Sequence, residues 1–195
     1  MLSVPTRAQC LLLMDAVQLP ENIREHSMIV AEIASFLALH LNRNGNRLDM
    51  ALVEAGALLH DIAKGICLKS NCNHAEMGAA MVNVWGYKDV AVIVKEHVRI
   101  EESMIKGSLT ESLIVNYADK RVKHTELVDL ETRFHDLVRR YGVTEGKRKR
   151  ILAMLPLYLE LERRIFQGLP FCPGDLKKIF QDSLPENLRT FWQAS

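Results

Sequence analysis

Four histidines and two aspartates interrupt the apolar stretches of this chain: His26, the adjacent pair His60 and Asp61, His74, His97 and Asp119. Ionisable side chains on a core-facing surface are costly to bury unless something neutralises them. A metal ion does so, and imidazole and carboxylate are the ligands it uses. Each residue alone reads equally well as a satisfied core histidine or a paired aspartate. A His-Asp dipeptide is by itself a weak signal. It is the series that points to a metal centre, provided that folding brings its members to one place.

Helical spacing aims most of them inward. His26 lies three residues after Ile23, three before Ile29 and four before Val30, on the core side of its helix. His97 lies four after Ile93 and three after Val94, and Asp119 four after Val115. His60 and Asp61 interrupt Ala55, Ala57, Leu58, Leu59, Ile62 and Ala63, a pattern apolar all round, as in a buried helix. Neighbours on a helix point about 100° apart, so both can reach an ion lying between their directions.

The elements that must position these residues read as helices almost throughout. Residues 6–18 carry Cys10, Leu11, Leu13, Met14 and Val17 at helical spacing, and Pro20 closes that segment. A long helix is predicted over 21–42, then a turn-rich loop over 42–46. Asp49 can cap a helix running through Ile62, with Gly65 and residues 69–73 as its breakers. Further helices are predicted over 73–85, 90–98, 109–122 and 125–141. Residues 144–167 contain Pro156, so a kink or two helices are expected, and 173–193 offers two short ones. The fold class is all-α, with a motif-bearing part over 1–142 and a C-terminal helical extension over 143–195. The apolar positions of that extension, Ile151 to Leu161, predict packing on the core or against a second copy of the chain, as in a homodimer.

Composition narrows the function classes. The chain has 195 residues, 48% hydrophobic and 25% charged, with a formal net charge of +1. That suits a soluble globular domain, and no overall field argues for nucleic acid or a membrane. No segment is long and apolar enough to span a bilayer. Cys10, Cys67, Cys72 and Cys172 show no CxxC pair and read as reduced thiols of a cytoplasmic protein. A zinc clip of Cys67 and Cys72 is the less favoured reading. The basic run from Lys147 to Arg150 lacks interleaved aromatics and reads as a solvated helix face rather than an RNA contact.

The series His26, His60-Asp61, Asp119 resembles the HD-domain superfamily of metal-dependent phosphohydrolases, an all-α multi-helix bundle. His60-Asp-Ile-Ala-Lys64 resembles its HDxxK-type stretch, and Asn116-Tyr-Ala-Asp119-Lys-Arg121 the segment bearing its final aspartate. His74 and His97 match the two extra histidines of its two-metal branches. The pattern lies nearest the bacterial branch that includes symmetrical dinucleoside tetraphosphate hydrolases, and it covers roughly residues 21 to 140.

The resemblance implies roles. His26, His60, Asp61 and Asp119 would hold one divalent ion. His74 and His97 would hold a second, with Asp61 bridging. Mixed N/O ligation suits Fe, Mn, Zn or Co without singling one out. Two divalent ions and two carboxylates leave a net positive site, suited to a phosphate. The expected reaction is hydrolysis of a phosphate ester or anhydride of a nucleotide or related small molecule by metal-activated hydroxide. Asp61 and Lys64 are the expected catalytic pair. Lys64 would stabilise transferring phosphoryl charge, against its plainer reading as a helix-terminal lysine. Of Lys120 and Arg121, Arg121 is the better phosphate binder, with its bidentate fork. Glu96, Glu101 and Glu102 are candidates to orient an imidazole. The alternative from another class is a non-catalytic, nucleotide- or metal-binding regulatory module of the same fold.

Overall fold

The computed structural model describes residues 4–70 and 72–183. Helix α1 spans Arg7–Ala16 and opens on a capping box between Thr6 and Gln9. Helix α2, Glu21–Arg43, is followed by α3, Met50–Leu59, which the Asp49 carboxylate caps by accepting from Ala51 N and Leu52 N. Then come α4 (Lys64–Ser70), α5 (His74–Val84), α6 (Lys88–Glu96), α7 (Glu102–Lys106) and α8 (Glu111–Lys120). A two-residue ladder follows, β1 (Val122–Lys123) antiparallel to β2 (Glu126–Leu127), with Val122 opposite Leu127. The chain continues as α9 (Leu130–Tyr141), α10 (Glu145–Leu152), α11 (Leu155–Phe166) and, after a short 3-10 turn at Pro173–Asp175, α12 (Leu176–Ser183). The fold is all-α.

Helix α8 is the hub, buried at every position from Ser112 to Lys120. It packs against α2, α3, α6, α9 and α11. A single apolar cluster holds Val30 and Leu37 of α2, Leu58 of α3, Ile114 and Tyr117 of α8, Tyr158 and Leu161 of α11 and Leu176 of α12. The C-terminal helices therefore share the core of the motif-bearing part. Helix α3 meets α6 closely because Gly56 has no side chain: a Cβ there would stand 2.7 Å from Ile93 Cγ2.

Several expectations are corrected. The helix from Asp49 ends at Leu59, and His60–Ala63 form tight turns closed by Ile62 N to Leu59 O and Lys64 N to Asp61 O bonds. The His-Asp pair thus sits at a helix break, not inside a helix. Gly65 lies within α4 rather than stopping a helix; a Cβ there would meet Pro20 Cδ at 2.7 Å. Residues 109–127 divide into α8 and the small hairpin, because Arg121 leaves the helix to satisfy groups elsewhere. Of the two alternatives expected for 144–167 the two helices are found, with Pro156 in the first turn of α11. Cys67 and Cys72 are joined in a disulfide, against the expectation of reduced thiols. Cys10 and Cys172 are free. The second of the two short tail helices predicted over 173–193 lies outside the described residues. Among those residues no helix is long and apolar enough to cross a membrane.

Candidate metal centre

All six expected ligands converge where the ends of α3, α6 and α8, the start of α5 and the first turns of α2 meet. They form two groups, each with ligand atoms within 4.8 Å of one another: His26, His60 and Asp119, and Asp61, His74 and His97. Asp61 joins the groups. Its Oδ2 lies 3.3 Å from His60 Nε2, while its Oδ1 lies 3.3 Å from His74 Nε2 and 3.5 Å from His97 Nε2. Asp119 Oδ1 lies 3.0 Å from His26 Nε2 and 3.8 Å from His60 Nε2.

Local structure sets the ring orientations. Nδ1 of His60 lies 2.7 Å from Ala57 O, Nδ1 of His97 2.6 Å from Val94 O, and Nδ1 of His26 2.8 Å from His124 O. Two of these acceptors are carbonyls at helix C-termini, left without intrahelical partners. The third belongs to the hairpin turn, where His124 takes a positive φ of 57°, an uncommon conformation that histidine tolerates better than most residues. Each carbonyl needs a donor, so each ring places an N–H at Nδ1 and turns Nε2 inward, where the neutral form of imidazole presents a lone pair. The orienting partners are thus backbone carbonyls, not the glutamates. Glu102 instead pairs with Lys106 at the surface. His74 is placed at the first position of α5 by Asn73, whose side chain caps that helix.

The inward surface is therefore lined with acceptors facing acceptors. His60 Nε2 and Asp61 Oδ1 are buried and have no hydrogen-bond partner among the described residues. Burial pushes His97 below the ordinary imidazole range and His74 down to about 4, although Asp61 opposes both shifts. Both rings are neutral near pH 7. Burial pushes Asp61 up, but the Lys64 ammonium prevails and holds it well below the usual carboxylate range. Asp119 is likewise held down against its burial, by the Lys120 ammonium. Ionised carboxylates, neutral imidazoles and orphaned lone pairs around one space are the donor set of a divalent cation.

Cations border the site. Lys64 Nζ donates to Asp61 Oδ2 at 2.6 Å and keeps 28% of its side-chain surface exposed. Lys120 is buried and donates to Asp119 Oδ2 at 2.6 Å and to His97 O at 3.2 Å. Arg121, the expected phosphate binder, is turned away and its fork is occupied. It donates to Val128 O, the Tyr117 hydroxyl, Glu162 and Pro173 O. Arg121 joins the hairpin to α11 instead. Sequence reasoning missed Arg133, which is buried with NH2 3.8 Å from Asp119 Oδ1. The available signal was Asp136 among Arg133, Arg139 and Arg140 at helical spacing. His40 packs on Phe36 and Phe171, away from the centre.

Family comparison agrees with this chemistry. The model of the HD domain matches residues 23–124, just over half of the chain. The chain belongs to the HD domain family, a fold of metal-dependent phosphohydrolases that bind divalent metals. It is 29% identical to an uncharacterized protein of Methanocaldococcus jannaschii over 147 residues, 69% of this chain and 86% of that protein. It is 28% identical to ribonuclease Y of Treponema pallidum over 145 residues, 68% of this chain and 28% of that enzyme. To ribonuclease Y of Thermotoga petrophila it is 26% identical over 185 residues, 82% of this chain and 34% of the enzyme. The match thus spans about a third or less of either ribonuclease. No solved structure matches the chain.

Proposed function

We propose that this chain is a metal-dependent phosphohydrolase acting on a nucleotide or related phosphate ester or anhydride. In this reading His26, His60, Asp61 and Asp119 hold one divalent ion, and His74 and His97 hold a second with Asp61 shared. The observation that carries it is the placement of Asp61, with one oxygen toward each histidine group. Bound divalent ions supply water that ionises near neutral pH and positive charge for phosphoryl oxygens. The remaining work falls to the chain itself. The carbonyls of Ala57, Val94 and His124 hold the imidazoles in the ligating tautomer. Lys120 and Arg133 keep Asp119 ionised and fixed. Lys64, anchored on Asp61 and partly exposed, can shift its ammonium to a phosphoryl oxygen as charge develops there.

The relatives found are ribonuclease Y and an uncharacterized protein, not the dinucleoside tetraphosphate hydrolases expected from the motif pattern, and the scissile bond is either a phosphoanhydride or a phosphodiester. The ribonuclease Y relatives favour the phosphodiester, at 26–28% identity and over a fraction of their length. Metal analysis of protein purified without oxygen, followed by a panel of nucleotides and short oligonucleotides with the metal found, tests the reading. Two ions per chain and product release are expected. Metal retention without turnover on any substrate would favour the non-catalytic module.

A further inference from the structure

The buried Asp136 of α9 collects more positive charge than it can balance. Its carboxylate lies 2.9 Å from Arg139 NH2, 3.2 Å from Arg133 NH1 and 3.2 Å from Arg140 Nε. Three guanidinium groups on one carboxylate leave a surplus of two positive charges. Like charges gathered this closely are mutually repulsive, and one arginine would have sufficed to pair the aspartate. We propose that this cluster is an anion subsite for a second, uncleaved phosphate of the substrate, so that the ligand class is compounds with two neighbouring phosphate groups. The inference rests on the phosphohydrolase reading for its reacting phosphate and extends that reading to substrate selection.

Two observations place the subsite beside the reaction centre. Arg133 links the cluster to the ligand set, 3.8 Å from Asp119 Oδ1. Arg140 touches the His124 ring, and the His124 carbonyl holds His26. A third observation points to a ligand. Arg133 Nε is buried and has no hydrogen-bond partner among the described residues, a donor whose acceptor is still to come. Burying such a donor unpaired is unfavourable. The guanidinium fork matches phosphate geometry bidentately. Arg140 keeps 33% of its side chain exposed, which lets it meet an incoming anion while Asp136 holds its base.

The two phosphates have two possible sources, the anhydride of a nucleoside polyphosphate or the backbone of a short oligonucleotide. Calorimetric titration of the metal-loaded chain with inorganic phosphate and with methylenediphosphonate is the primary test. The wild-type protein should bind the diphosphonate at least about tenfold more tightly than phosphate. Arg140→Ala should remove most of that preference and leave phosphate binding nearly unchanged, and Arg140→Lys should fall between. Arg140 is chosen because Arg133 also lies beside Asp119, so Arg133→Ala would disturb the metal centre together with the subsite; Arg139→Ala, at the surface, is the second variant. Equal losses for both anions, or none, would overturn the subsite. Repeating the titration with ADP and with a 5′-phosphorylated dinucleotide identifies the source, and the subsite fails if neither is weakened in Arg140→Ala. A protein with these affinities but no turnover keeps the subsite and loses the hydrolase reading. Turnover with no effect of Arg140 does the reverse.

Discussion

Replacing Asp61 by asparagine is the most discriminating perturbation of the centre. The change keeps the shape and one oxygen acceptor and removes the charge that the two histidine groups share. In the metal-free protein it breaks the pair with Lys64, whose Nζ lies 2.6 Å from Oδ2, where Asp61 is 2% exposed and Lys64 28%. Breaking a buried ion pair costs about 3–5 kcal/mol. Lys64 can turn to water, which puts the loss at about 3 kcal/mol, or about 6–12 °C in Tm for a chain of this size. The sign with pH is definite. Because Asp61 ionises below its unfolded range in the folded chain, its stabilisation is present above about pH 4 and fades as pH falls through the lower folded value. The gap between wild type and Asp61→Asn should therefore be widest near neutrality and close in acid. With metal, loss of the shared ligand should lower the bound ions below two per chain. It should also remove several kcal/mol of phosphoryl stabilisation, about a thousandfold in turnover. Metal analysis, denaturant titration at several pH values and single-turnover assays measure these effects. A folded Asp61→Asn protein with two ions and wild-type turnover would refute the reasoning.

His74 should show the same pH sign as Asp61, in a higher window. Burial pushes it to about 4, against about 6.5 when unfolded, so the unfolded chain binds more protons between those values. Metal-free wild type should lose about 1–2 kcal/mol more than His74→Gln between pH 7 and pH 4.5, and parallel urea midpoints would count against the burial of this ring. Thiol labelling at pH 8 should find Cys172 fast and Cys10 protected until unfolding, because Cys10 is fully buried and its thiol is pushed up to about 12 by burial and Glu54. Cys67 and Cys72 should label only after reduction; four thiols reacting at once would contradict that pairing. Gly56→Ala puts a methyl 2.7 Å from Ile93 Cγ2 and should cost about 1–3 kcal/mol by overpacking. It should also weaken metal retention, since α3 and α6 carry His60 and His97 at their ends; an unchanged Tm would show that Ile93 simply moves aside.

The sequence by itself determined the helical class, most helix boundaries and which six ionisable residues face one another in the fold. These follow from local rules: apolar spacing, Asp49 and Asn73 as caps, and ionisable residues on apolar faces. Three features were not legible in the sequence, and two of them depended on contacts between residues far apart in the chain. The break at His60 arises where Ile62 N and Lys64 N bond three residues back, and nothing in the apolar run from Ala55 to Ala63 marks it. The fate of Lys120 and Arg121 was tertiary. Both are basic and adjacent, yet one faces Asp119 and the other Glu162, because α8 ends between them and the chain turns into the hairpin. Finally, imidazole tautomers are set by three backbone carbonyls, and the one on His26 comes from His124, 98 residues away in the chain. Residue type determines what a side chain can ligate or donate; only the folded backbone determines which atom meets which.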